Sequence, residues 1–198
     1  NGRNTYGSLL QAIDGKLYGI KAFGGSNGYN YDEGLGIGYG VIFSFDPATS
    51  AYTKIKDFDG STGRNPYGSL LQASDGKLYG VASGGSSGSG VIFSFDPATS
   101  TYAKVKDLDG TNGRAPLSLM QASNGMLYGI TNQGGEGGDN DLFNGFGVIF
   151  SFDPVTSAYT KLIEFSGKNG RNTYGSLLQA IDGKLSGITA VGGSNGYN

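Results

Sequence analysis

Residues 68–114 read GSLLQASDGKLYGVASGGSSGSGVIFSFDPATSTYAKVKDLDGTNGR, and the chain carries this stretch almost three and a half times. Four short apolar runs lie inside it, rich in the β-branched and aromatic residues that suit strands. Ser69–Ala73 leads into Asp75-Gly76, a dipeptide suited to a two-residue turn with positive φ, and Lys77–Val81 returns. Val91–Phe95 meets Asp96-Pro97-Ala98-Thr99, where Asp first and Pro second favour a type I turn, and Tyr102–Val105 comes back. Two hairpins in sequence make a four-stranded meander of about fifty residues, the unit of a propeller blade. The fold class expected is therefore all-β: tandem four-stranded antiparallel blades, about three and a half of them.

The copies divide the chain into blade 1 at 1–62, blade 2 at 63–112, blade 3 at 113–169 and the first half of a fourth at 170–198. The connection between second and third strands varies most. It takes 17 residues over 24–40 (GGSNGYNYDEGLGIGYG), 7 over 84–90 and 14 over 134–147. Length variation confined to one connection is what a scaffold with one decorated face produces, because surface loops accept insertions and packed strands do not. Residues 169–198 repeat 1–30 except at Ser186 for Tyr18, Thr189 for Lys21 and Val191 for Phe23, so a period of 168 overlies the blade period. The chain starts at Asn1 inside a repeat with no secretory leader, and reads as a mature or excised piece.

Glycine occupies 38 positions, far above the usual roughly 7%. It recurs at fixed places between strands, which argues for a folded chain rather than a flexible one. The net charge of −2 comes from 14 basic and 16 acidic residues, interspersed, with no footprint for nucleic acid or an anionic membrane. No apolar run is long enough for membrane insertion. Neither cysteine nor histidine occurs, which removes disulfides, thiolate chemistry, Ser-His and Cys-His pairs and the commonest transition-metal ligands.

The succession D-x-D-G-x-x-G-R, S-L-L-Q-A-S-D-G-K-L-Y-G, G-G and G-V-I-F-S-F-D-P resembles the GloVer-type tandem repeat of bacterial surface and secreted proteins. It also resembles a kelch blade, although the kelch tryptophan after the turn is replaced by Tyr52, Tyr102 and Tyr159. The resemblance implies a β-propeller-like fold and export, hence an extracellular or cell-surface location. It implies no reaction.

Candidate chemistry is sparse. Gly34-Leu35-Gly36-Ile37-Gly38-Tyr39-Gly40 is no dinucleotide site, because it runs into a strand where that motif opens a helix. Asp57, Asp59, Asp107 and Asp109 stand in a D-x-D-G arrangement that a calcium loop would use. The third copy breaks it with Ser166, which favours capping of turn amides. Asp139 and Asp141 of the third loop, and Asp32-Glu33 of the first, belong to insertions and are the better metal candidates, with calcium the only cofactor considered. Arg3, Arg64, Arg114 and Arg171 recur at the connection between blades. As a ring they would grip anionic or sugar ligands, but their presence in every copy favours a bridge to the neighbouring blade. Tyr29, Tyr31 and Tyr39 sit in the long loop, where exposed rings stack on sugars.

Near-copy repetition without a catalytic constellation points to a non-enzymatic structural or adhesive repeat protein whose partner is itself or a continuation of its own chain. A glycan-binding propeller that uses the variable loops is the alternative, and a propeller enzyme ranks third. Near-identity at long period favours a fibre over a six-bladed ring. In a meander blade the long loops and the arginines share one face, opposite both tight turns.

Overall fold

The computed structural model describes residues 6–29, 37–136 and 145–193, and no helix occurs among them. The first sheet joins β1 (Leu10–Gln11) and β2 (Leu17–Lys21) to β5 (Val41–Asp46) and β6 (Ala51–Asp57), with β3 (Gly28–Tyr29) and β4 (Ile37–Gly38) paired separately in the intervening loop. The second sheet is β7 (Arg64–Gln72), β8 (Leu78–Ser83), β9 (Val91–Asp96) and β10 (Thr101–Asp107). The third is β11 (Arg114–Gln121), β12 (Leu127–Gln133), β13 (Val148–Phe152) and β14 (Tyr159–Glu164). A half-blade closes the described chain, with β15 (Arg171–Thr173) paired to β18 (Thr189–Val191) and β16 (Leu178–Gln179) to β17 (Leu185–Ser186). Three tandem four-stranded antiparallel sheets are thus present, as the repeat predicts.

The turn chemistry differs in one respect from the sequence reading. Asp75-Gly76 does not form a two-residue turn. Ala73 N donates to Lys77 O at 2.9 Å and Gly76 N to Ala73 O at 2.9 Å, which makes a three-residue loop over 74–76. Only Gly76 has positive φ, at 82°, so glycine supplies the left-handed position that follows a turn in such loops. Asp75 serves through its side chain instead. Oδ1 accepts from Lys77 N at 3.0 Å and Oδ2 from the Tyr79 hydroxyl at 2.8 Å.

Within each sheet a phenylalanine of the third strand lies over a glycine of the second. A Cβ on Gly80 would sit 2.5 Å from Phe93 Cζ, and on Gly129 2.3 Å from Phe150 Cζ. The L-Y-G signature therefore requires glycine for close approach, and the ring covers the backbone that glycine exposes.

The core lies between blades as much as within them. Ala12, Tyr18, Ile20 and Ile42 of blade 1 form one buried cluster with Leu70, Leu78, Phe93 and Phe95 of blade 2. Ala73, Tyr79, Val81 and Ile92 of blade 2 do the same with Leu119, Phe150 and Phe152 of blade 3. Phe58, between the first two sheets, wedges edge-on against Phe93 at 5.4 Å and Tyr102 at 6.0 Å. Polar clamps fix the register. Gln72 Oε1 accepts from Ile13 N of the preceding blade at 2.9 Å, while its Nε2 donates to Gly76 O of its own turn at 3.0 Å. The Tyr102 hydroxyl donates to Thr62 O at 2.6 Å, and Lys56 Nζ stands 5.2 Å from the Tyr102 ring centre.

Position in the array therefore decides what a repeated leucine contributes. Leu70 is 4% exposed and Leu9, its copy in blade 1, is 53% exposed. Leu70→Ala is expected to destabilise by about 3 kcal/mol and Leu9→Ala by less than about 1 kcal/mol. Urea midpoints of the two variants at low protein concentration check this.

Candidate functional site: the loop face

A Gly-Gly pair follows each second strand, and the three described loops return to that point through the same bond. Gly40 N donates to Gly24 O at 2.9 Å, Gly90 N to Gly84 O at 2.8 Å and Gly147 N to Gly134 O at 3.0 Å. The base is then tied to the outer strand by an acid. Asp57 Oδ1 accepts from Ser26 N at 2.9 Å and Asp107 Oδ1 from Ser86 N at 2.9 Å, and Glu164 accepts from Glu136 N in the third copy. A lysine three residues earlier pairs with each acid: Lys54 with Asp57 at 2.7 Å, Lys104 with Asp107 at 2.6 Å and Lys161 with Glu164 at 2.8 Å. Burial opposes ionisation of Asp57 and Asp107, but the lysine and the loop serine outweigh it and hold both carboxyls below the usual aspartate range.

The second acid of D-x-D-G caps the connection to the next blade. Asp59 Oδ1 accepts from Thr62 N at 2.7 Å, from the Thr62 hydroxyl at 2.7 Å and from the Ser61 hydroxyl at 2.9 Å. Asp109 accepts from Asn112 N at 2.9 Å and the Thr111 hydroxyl at 2.8 Å. These are the turn caps that the sequence favours over a calcium loop. Among the described residues no group of three or more acids is placed to hold a metal ion. Asp139, Asp141, Asp32 and Glu33 lie outside the described residues, as do Arg3 and Tyr31.

Arg64 and Arg114 are half-buried at the loop bases. The residue after each docks on the preceding loop: Asn65 N donates to Tyr39 O at 2.7 Å and Ala115 N to Ser89 O at 2.9 Å. In the last copy the Arg171 guanidinium carbon stands 5.8 Å from the Phe146 ring centre, a cation–aromatic contact between half-blade and third loop. That contact is a bridge between neighbouring blades, the role that recurrence in every copy favours. Tyr39, at the position of Phe146, is half-buried and packs against the core. The backbone of Tyr29 pairs with Ile37 at the stem of the long loop.

The expected division of faces holds for the described residues. The arginine connections sit with the loop bases, while Asp14, Asp75, Gly76, Asp96 and Pro97 line one groove at the other end of the strands. Sequence reasoning missed the Lys54 and Lys161 pairs, the Glu136–Glu164 clamp and the Gln72 bridge. Recurrence of the lysine at 54, 104 and 161 and of the glutamine at 11, 72, 121 and 179 was the available signal, whereas the clamp keeps only an acid where Asp57 and Asp107 stand.

Residues 1–143 match the family described as the Gloeobacter/Verrucomicrobia repeat. No curated protein matches the chain in sequence. The structure is similar to a chain of a nidogen/laminin complex, with TM-score 0.61, 15% identity, and coverage of 94% of this chain and 57% of that one. TolB from Acinetobacter baumannii is similar with TM-score 0.52 and 17% identity over 92% of this chain and 38% of that one. The extracellular domain of a one-component system from B. thetaiotaomicron is similar with TM-score 0.57 and 14% identity over 96% and 21%. These neighbours are propeller-like, and the chain spans little more than half the length of the first and less of the others. Among the described residues no helix is long and apolar enough to cross a membrane.

Asp59 makes the face sensitive to acid. Partial burial raises its carboxyl, but the Thr62 and Ser61 donors and Lys56 prevail and hold it at about 2. This lies below the roughly 3.9 of a free aspartate. The stability that Asp59 supplies is therefore complete above about pH 4 and is lost as pH falls toward about 2. Asp59→Asn is expected to lower stability near neutrality and to flatten the acid limb in that window, measured as urea midpoints at stepped pH.

Proposed function

The chain belongs to the Gloeobacter/Verrucomicrobia repeat family, and from that premise we propose that it is a non-enzymatic structural or adhesive repeat protein, working at the cell surface or outside the cell, with its loop face as the contact surface. One observation carries the reading. Loops of 17, 7 and 14 residues rise from bases closed by the same glycine bond, on blades whose cores are near copies. A scaffold that holds its strands constant and varies one set of loops presents different surfaces from one frame. The repeat family and the propeller-like fold fit a non-enzyme. The acids described at the loop bases are committed to amides, hydroxyls and lysines, an arrangement that braces loops rather than transfers protons. The resemblance to repeats of bacterial surface and secreted proteins supports the location outside the cell.

Tyr39 packs against the core, but Tyr29 and Tyr31 also belong to the first loop, so glycans are the ligand class that its chemistry would select. A glycan array and a glycoside-hydrolysis screen on the purified chain test both halves of the reading. Turnover of any substrate would overturn it, and saturable sugar binding would move it from structural protein to lectin. Replacing residues 26–38 with the short Ser86–Gly88 segment, which keeps the core-packed Tyr39, is expected to leave the melting temperature within a few degrees while removing whatever the first loop binds. Calorimetry and the same array check that separation.

A further inference from the structure

We propose that the Asn124-Gly125 turn of blade 3 is a site of self-modification, where the asparagine loses its side-chain amide through a cyclic imide and leaves an aspartate. The inference concerns the turn face and stands apart from whatever the loop face contacts. Asparagine is thermolabile, and before glycine the attacking main-chain nitrogen has no side chain beside it to hinder ring closure. The matching turns read Asp14-Gly15, Asp75-Gly76 and Asp182-Gly183, so only in blade 3 does this turn hold an amide in place of an acid.

The surroundings separate this pair from others of the same sequence. Asn124 is exposed; its Oδ1 accepts from Met126 N at 3.1 Å and its Nδ2 donates to the Tyr128 hydroxyl at 3.0 Å, both at the surface. A Cβ placed on Gly125 meets nothing within 4 Å, so the ring has room to form. Asn112-Gly113 and Asn169-Gly170 are enclosed instead. Both glycines are buried, and a Cβ would stand 2.8 Å from Thr131 at Gly113 and 2.5 Å from Thr189 at Gly170. Asn112 Oδ1 accepts from Asp109 N at 3.0 Å, while Asn169 Oδ1 accepts from Ser166 N at 2.8 Å and its Nδ2 donates to Glu164 O at 3.1 Å. These two amides cap connections after the outer strands and must undo the caps to turn toward the next nitrogen. Asn27-Gly28 is exposed as well, but it lies in the variable first loop, where the other copies place no aspartate.

Water is the only co-reactant. The Gly125 nitrogen gives its proton to solvent and bonds to Asn124 Cγ, and the Cγ–Nδ2 bond breaks as ammonia leaves. Water then opens the imide, at Cγ to give aspartate or at the main-chain carbonyl to give isoaspartate, whose backbone is one carbon longer. The turn discriminates between them. Its closing bonds, Ala122 N to Met126 O at 3.0 Å and Gly125 N to Ala122 O at 2.9 Å, fit a three-residue loop and not a longer path. Aspartate keeps both and takes the bond its copies make, where the Tyr18 hydroxyl donates to Asp14 at 2.7 Å and the Tyr79 hydroxyl to Asp75 at 2.8 Å. That charge-assisted bond is stronger than the neutral one Asn124 makes. Isoaspartate re-forms the imide and is reprocessed, so aspartate accumulates. Met126 stands where Lys16, Lys77 and Lys184 stand, so the new carboxylate gains the tyrosine without a lysine of its own turn.

Peptide mapping of the purified chain, held at mildly alkaline pH and fragmented so that aspartate and isoaspartate are told apart, tests the proposal. Asn124 is expected to convert about tenfold or more faster than Asn112 and Asn169, a gap that one cap hydrogen bond supplies, and to yield mainly aspartate. In urea the three sites are expected to convert at similar rates, with isoaspartate leading at Asn124. Tyr128→Phe, which removes the hydroxyl and keeps the ring, is expected to shift the folded product toward isoaspartate. An intact Asn124, equal rates at the three sites in the folded chain, a product ratio at Asn124 that is the same folded and in urea, or a ratio that Tyr128→Phe leaves unchanged would each overturn the proposal.

Discussion

Everything in this structure depends on the packing of one four-stranded sheet on the next. A single meander of this sequence has apolar residues on both faces, Tyr79 and Val81 toward one neighbour and Leu70 and Phe93 toward the other. Neither face is covered by its own sheet. Burying a side chain of this size is worth roughly 1.5–3 kcal/mol, so a handful of such residues per joint outweighs the small stabilities typical of an isolated hairpin or sheet. Repetition follows as a physical requirement, since each blade completes the core of the one before it.

Polar groups then specify what apolar contact alone leaves loose. A greasy sheet face tolerates sliding of one sheet over the next, because the hydrophobic effect is non-directional. Gln72 joins the Asp-Gly turns of two blades with one side chain. The Tyr102 and Tyr159 hydroxyls reach carbonyls of the preceding connection at Thr62 and Asn112. Lys56 and Lys106 stand over those tyrosine rings, each at 5.2 Å. Each of these bonds is satisfied only in one register.

The same arrangement explains why the loops vary. Lengthening a closed loop from 7 to 17 residues costs about 0.8 kcal/mol of closure entropy, less than burial of one core side chain contributes. The closing bond at Gly24, Gly84 and Gly134 recurs, and a carboxylate, aspartate or in the third copy glutamate, accepts from the loop base whatever lies between. Change at the loop tip is thus insulated from the core, which is the property a contact surface on a repeated frame needs.

Much of the fold was legible from residues 68–114, because strands and turns are local. Alternating apolar runs, Asp-Gly and Asp-Pro specify hairpins within about a dozen residues, and the near-copy period specifies how many sheets there are. The face on which the loops stand followed from strand order alone. Turn type was less accessible, since Asp75 and Gly76 suit a two-residue turn equally well until the pairing of Ala73 with Lys77 is known. Least accessible were properties that belong to pairs of distant residues. Gln11 and Gln72, or Leu9 and Leu177, have the same neighbours in sequence and different neighbours in space. The chain determined by itself that each blade needs a partner on both faces; only the tertiary structure decided which faces find one, because burial is a relation between blades and no blade's sequence contains it.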